Sequence, residues 1–280
     1  MASIFPGATI EHRPRPIACE GRLAAMNIEQ DEALFDFIAG QVKVRPLARA
    51  IAGNASLRGL FRAAPAVREV ITLAKIEALA RARDDQGHRR WQPILVDLDA
   101  TGHALMLLEL PQLLRALVGS GPLRRLTESL SALITDRQRT VLSLVTLARE
   151  VPVQETIELA AEIEGRHGIA VAALLINQVP HASLPPSLWP WLEVAGARAQ
   201  KGSALAAELD LAARVYNERQ VALSQIARLR AELPTLAQIE LPAIEGGPRG
   251  LEDLRRLGEI AMRGLGRAQP GDCAEEGCDE

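Results

Sequence analysis

The stretch Gln92 to Pro111, QPILVDLDATGHALMLLELP, holds the residues whose types and spacing best suit chemistry. Asp97 follows the short apolar run Pro93–Val96, which reads as a buried strand. A small, polar turn follows, Asp99-Ala100-Thr101-Gly102-His103. Leu105, Met106, Leu108 and Leu110 then begin an amphipathic helix. In an open α/β sheet, ligands bind beyond the carboxyl ends of the strands. A carboxylate there, beside a helix N-terminus, suits a hydrated Mg2+ ion and a phosphate group. The same residues also suit a plain strand-to-helix corner, with Asp or Thr as the helix cap. His103 has no second His or Cys at ligand spacing, and zinc takes three or four such ligands, so a zinc role is not expected of it.

Other elements must position that turn. Further strands are expected at Thr140–Leu147, Gly168–Asn177 and Gln238–Leu241, each an apolar run. Asn177 closes the second of these, before the turn signal Pro180. The helical period marks a stretch after Asp31, which would cap it, a second over Ser56–Arg83 broken near Pro65, and Pro111–Thr135 broken at Gly119–Pro122. It also marks Ala148–Glu164, Gly202 to Ala231, and Leu251–Leu265. Met1–Gly21 reads as an irregular arm, Asp84–Arg90 and Pro185–Trp191 as turns, and Pro242–Gly250 as a loop. From residue 92 onward strands alternate with helices, so the fold class is α/β with a parallel sheet.

Composition narrows the partners. The 280 residues are 48% hydrophobic and 24% charged, as in a folded globular protein. With eight aromatics, the core must be aliphatic. A net charge of −3 gives no argument for nucleic acid or an anionic membrane as partner. The three cysteines, Cys19, Cys273 and Cys278, have no clustered spacing, which argues against a disulfide framework and fits a reducing cytoplasm. The last two lie in an acidic tail, residues 269–280, expected to be disordered. The first 15 residues lack the apolar core of a signal peptide, and no window of about 18 apolar residues spans a membrane.

The Gln92–Pro111 stretch resembles the switch II segment of the ArsA family, the arsenite-pump and tail-anchored-protein-targeting ATPases. That family's pattern, D-T-A-P-T-G-H-T before a Leu-rich helix, is matched at Asp97, Thr101, Gly102 and His103. Ala100 stands where the family has Pro, Asp99 where it has a small residue, and Ala104 where it often has Thr. Glu150–Thr156, EVPVQET, is similar to the family's EELPVRET, and Pro248-Arg249-Gly250 matches VRG at two positions. The resemblance implies a P-loop NTPase-like parallel sheet flanked by helices, as a single domain over residues 1–268. It also implies an inserted α-helical subdomain at about 31–83 and 105–135. It implies ATP and Mg2+ as cofactors. Asp97 would hold the Mg2+ shell through water, and Thr101, Gly102 and His103 would sense the γ-phosphate. Asn177, Pro248 and Arg249 would lie on the adenine side. In the targeting branch the helical subdomain carries an apolar groove for a client helix. The groove candidates here are Leu105, Met106, Leu113, Leu114, Leu117, Leu123, Leu126, Leu130 and Leu133, which also suit ordinary helix packing.

One family part is missing from the sequence. A P-loop needs a Gly-rich turn whose N–H groups cradle the phosphates and a Lys that reaches them. Lys43, Lys75 and Lys201 are the only lysines, and none follows such a turn. The resemblance places the family's first strand in the middle of the sheet, so the Pro93–Asp97 strand is expected to lack a neighbour and to invite pairing with another chain. Two function readings follow. One is a dimeric ATPase that couples nucleotide state to a client or partner, with its P-loop not in this chain. The other is a non-catalytic subunit that pairs with a P-loop-bearing paralogue as an interaction module. A homodimer or a heterodimer with such a paralogue is the expected assembly, and this chain alone is expected to be inactive.

Overall fold

The computed structural model describes residues 5, 7–41, 46, 65–98, 101–117, 120, 122–167, 169–181 and 185–268. The chain divides into two compact units. The first is residues 1–140 with 165–170, and the second is residues 141–164 with 171–280.

The first unit opens with a hairpin. Strands β1 (Arg15–Ala18) and β2 (Leu23–Ala25) pair antiparallel through a tight turn at Cys19–Gly21, where Glu20 and Gly21 have positive φ. The expected irregular arm is therefore partly a hairpin, and its signal was hidden by Pro16 and by the brevity of the strands. Four helices follow: α1 (Gln30–Gln41), α2 (Pro65–Arg81), α3 (Thr101–Leu117) and α4 (Pro122–Thr135). Helix α1 begins at Gln30, so Asp31 lies in its first turn rather than capping it.

Ala33, Leu34, Ile38 and Ile71 form a core between α1 and α2, with Ile28, Phe35 and Val67 packed on it. A polar cluster closes the same seam. Asp36 accepts from Lys75 Nζ at 2.5 Å and pairs with His12 Nε2 at 3.1 Å. His12 Nδ1 accepts the Glu29 backbone N–H, so its other ring nitrogen carries the proton that Asp36 receives. A second cluster ties α2 to α4, where buried Glu77 accepts from Ser129 and Arg81.

The Pro93–Val96 strand is not formed. Residues 94–98 carry no strand or helix, and Leu95 is 92% exposed. An extended segment becomes a strand only when its N–H and C=O groups find a partner, and among the described residues this one has none.

The second unit is a parallel three-stranded sheet in the order β3 (Leu142–Leu147), β4 (Val171–Val179), β5 (Gln238–Pro242). Helix α5 (Glu150–Glu162) carries the chain from β3 to β4. Helices α6 (Trp189–Arg198) and α7 (Ala204–Glu232) carry it to β5, and α8 (Leu251–Ala268) follows β5. Pro185–Trp191 was expected to be a turn, but Trp189 and Pro190 open helix α6, where proline suits the first turn. Strand β4 runs past Asn177 to Val179.

The pleat sorts the sheet into two faces. Leu144, Thr146, Leu174 and Ile176 are buried, and Gln238 Nε2 on the same face donates to the carbonyls of Leu229 in α7 and of Leu233, which caps its end. Val145, Leu175 and Ile239 are aligned on the other face. Helix α8 covers Ile239 so closely that a Cβ on Gly264 would lie 2.7 Å from Ile239 Cγ1. Over β3 that face is bare, with Val145 65% exposed. No described strand pairs with the outer edge of β3. The result is an α/β fold with a parallel sheet flanked by helices, consistent with a P-loop NTPase-like fold.

Candidate functional site

In the first unit, Asp97 is exposed in the unpaired segment ahead of α3. Helix α3 begins at Thr101, so Thr101, Gly102 and His103 form its first turn; their side chains, and residues Asp99 and Ala100, lie outside the described part. The backbone thus presents a helix N-terminus four residues after Asp97. Such a terminus carries free N–H groups and the positive end of the helix dipole. Cys273 and Cys278 also lie outside the described residues, while Cys19 is an exposed free thiol.

In the second unit, the carboxyl edge of the sheet gathers Asn177 and the loop after β5. Leu147 at the end of β3 is in register with Asn177. The register between β4 and β5 shifts between Ile176 and Val179, and Gln178 there has φ 55. This is a β-bulge, a device that re-aims a side chain at a strand end. Asn177 Oδ1 accepts the Gln178 N–H at 2.9 Å, which holds the amide in place and leaves its NH2 to donate elsewhere. The loop is tied to the same edge. Ala243 N donates to Val179 O at 2.9 Å, and a His181 ring nitrogen meets Ala243 O at 2.8 Å. Gly246 and Gly247 take positive φ, and the Arg249 guanidinium folds over Gly246. The Arg249 N–H is received by Asp253 Oδ2, which fixes the entry into α8.

Sequence reasoning missed three of these parts. Gln178 gave no bulge signal, since a non-glycine residue at positive φ is decided by strand register. His181 stands out by no motif or spacing in the sequence. Arg219, which donates to the Pro180 carbonyl, comes from α7, 39 residues away.

For a purine nucleotide, the fit differs by end. The Asn177 amide and the glycine turn suit a base edge. No described residues make a phosphate cradle: Lys75 is bound to Asp36, Lys201 stands in the turn before α7, and Lys43 lies outside the described part. Among the described residues no three His, Cys, Asp or Glu gather as a metal site.

The groove candidates divide. Leu130 and Leu133 are buried, and Leu105, Met106, Leu114 and Leu126 are half-buried. Leu113 is exposed, and the side chains of Leu117 and Leu123 lie outside the described part. No described helix is long and apolar enough to cross a membrane.

A three-stranded parallel sheet flanked by helices defines an open α/β fold consistent with that of P-loop NTPases. Among known proteins, the chain is similar to the ATPase BagA of Mycobacterium tuberculosis, 24% identical over 189 residues. A Mycobacterium bovis protein that carries an ATPase name is similar to the same extent. The match takes in 66% of this chain and 55% of each relative, so the chain spans about half the length of the curated relatives it matches. No protein-family model matches the sequence.

Proposed function

We propose that this chain is part of an ATPase of the ArsA type, in which ATP binding and hydrolysis are coupled to a client or partner. The observation that carries the reading is the similarity over 189 residues to mycobacterial proteins named as ATPases. The Asp97–His103 segment at the start of α3 and the Asn177 edge support it. In the second unit, Asn177 and the Pro248–Arg249 loop would hold adenine; in the first, Asp97 would hold the Mg2+ shell through water. Thr101, Gly102 and His103 meet the γ-phosphate, whose presence or loss moves α3. The Mg2+ ion, when bound, neutralises phosphate charge during transfer. The phosphate cradle is not among these residues, so it is supplied by a P-loop-bearing segment or partner chain. The unpaired Leu95 segment and the free edge of β3 favour such a partner, because both are places where a further strand would pair.

The test is phosphate release. The purified 280-residue chain should release none above background, since phosphoryl transfer depends on a Lys and backbone N–H groups around the β- and γ-phosphates. Addition of a P-loop-bearing relative should give Mg2+-dependent turnover. Asp97→Asn should lower that turnover by roughly 10–100-fold, the usual cost of losing an outer-shell metal partner. Robust, Asp97-dependent turnover by the chain alone would sink the reading.

A further inference from the structure

The turn that follows α2 is a miniature hairpin. Asp84 N donates to His88 O at 3.0 Å, and Arg90 N donates to Ala82 O at 3.0 Å. Between these two bonds Arg83 and Arg89 face each other across antiparallel backbone. Bonds that flank a facing pair, rather than join it, mark the non-hydrogen-bonded position of an antiparallel ladder. There the Cα atoms lie about 4.5 Å apart and both side chains leave the same face. Two like charges are thus set directly opposite each other, which costs stability. The acids of the turn do not relieve them. Asp84 Oδ1 accepts the N–H groups of Gln86 and His88, and its Oδ2 lies 3.8 Å from His88 Nδ1. Alternation along the backbone puts that pair on the other face of the hairpin, and Asp85 stands at the tip of the turn. The neighbouring arginines are engaged: Arg90 lies over the Trp91 ring, 5.4 Å from its centroid, and Arg81 pairs with Glu77. Arg83 and Arg89 are exposed, and among the described residues neither side chain has a partner.

We infer that Arg83 and Arg89 form a binding site for one phosphomonoester group. The charge selects that ligand. Two facing guanidinium groups are neutralised together only by a group that carries two negative charges. A phosphomonoester carries roughly that at neutral pH, on three acceptor oxygens, whereas a carboxylate carries one charge and a phosphodiester one. Each guanidinium presents a planar fork of N–H donors that suits two phosphate oxygens at once. Two such forks from adjacent backbone positions therefore close on one phosphate, and their mutual repulsion becomes attraction to the ligand. The site is a pair of side chains on an open surface, not the N–H cradle that a phosphate in transfer needs. It takes a phosphorylated side chain of another protein or a small free phosphate, since both present the same dianion. This inference stands apart from the ATPase reading and uses none of its residues.

The experiment is an NMR titration of the full 280-residue chain, labelled with 15N and free of nucleotide and Mg2+, read at the arginine Nε–H signals. The probes are a short acetylated peptide with a single phosphoserine, its serine and glutamate counterparts, inorganic phosphate, and oligothymidylate. The Arg83 and Arg89 signals, identified by their loss in Arg83→Lys and Arg89→Lys, should shift together and saturate with the phosphopeptide. The glutamate peptide should bind about tenfold more weakly, and the serine peptide should leave both signals in place. Arg83→Gln and Arg89→Gln should each weaken phosphopeptide binding by about tenfold or more, the worth of one charge-assisted contact. Circular dichroism should not change, since both side chains stand in solvent. Arg198→Gln, at an exposed arginine of the second unit, should have no effect. Tighter binding of the phosphopeptide than of inorganic phosphate supports the site with a protein partner as source, and equal binding supports it with a free anion. Signals that do not move overturn the inference, as does a glutamate peptide that binds equally well. So does an Arg198→Gln variant that loses as much as the other two, which would mean surface charge alone. Oligothymidylate binding more tightly per phosphate than the phosphopeptide also overturns it, in favour of nucleic acid. The readout is binding without nucleotide, so it succeeds or fails independently of any phosphate-release result.

Discussion

Asp36 is where single-residue chemistry bears most on stability. Burial alone raises its pKa, but the Lys75 ammonium and the His12 ring beside it outweigh burial and hold it below the ordinary 3.8. The native carboxylate is then the stronger acid, so the unfolded chain takes up its proton first as pH falls. The stability contributed by this cluster is complete above about pH 3.8 and is lost as pH drops through the lower native value. Asp36→Asn should remove that acid slope. It should also lower stability at neutral pH by about 1–3 kcal/mol, less than for a fully buried pair because Asp36 is partly exposed. Urea unfolding at a series of pH values checks both. Gln178 offers the opposite case. Its left-handed backbone costs roughly 1 kcal/mol in a non-glycine residue, and Gln178→Gly should recover part of that, about 0.5 kcal/mol. A clear loss on that substitution would mean the Gln178 side chain itself is used.

At the scale of elements, the contact of α8 on β5 turns on one missing methyl group. Gly264→Ala gains up to about 1 kcal/mol of helix propensity but drives a Cβ into Ile239, and overpacking costs about 1–3 kcal/mol. The clash should win, giving a net loss. Gly258→Ala in the same helix meets nothing within 4 Å, so propensity acts alone and stability should rise by about 0.5–1 kcal/mol. Thermal unfolding of the two variants side by side separates the two effects. Equal shifts in both would mean that α8 does not approach Ile239 as closely as described.

For the molecule as a whole, the feature to explain is exposed strand-forming surface. Parallel sheets are ordinarily covered on both faces, yet β3 shows Val145 to solvent and has an outer edge with no described partner. A free apolar edge is a template for pairing with other chains, and charged side chains blunt it. Val145→Lys should therefore reduce turbidity on heating while changing stability by no more than about 0.5 kcal/mol, the usual range for an exposed position. Turbidity and unfolding curves measured on the same samples decide this. Loss of stability beyond that range would mean that Val145 is covered in solution.

The order of elements and their type were legible in the sequence, because apolar period and the placement of Gly and Pro are local properties. The long α7, the strand β5 and the loop before α8 lie within a few residues of where that pattern puts them. Asp97, Thr101, Gly102 and His103 draw attention as a candidate motif because their types and spacing are contiguous. What tertiary structure decided was everything that depends on a partner. The run Pro93–Val96 has the composition of a strand, but a strand exists only when another backbone bonds to it, and among the described residues none does. Asn177 was readable as a strand-end residue, whereas the Gln178 bulge and the Arg219 contact to Pro180 arise from register and from a helix far along the chain. Lys75 carried no signal at all, and only the packing of α1 on α2 binds it to Asp36 and removes it from any phosphate.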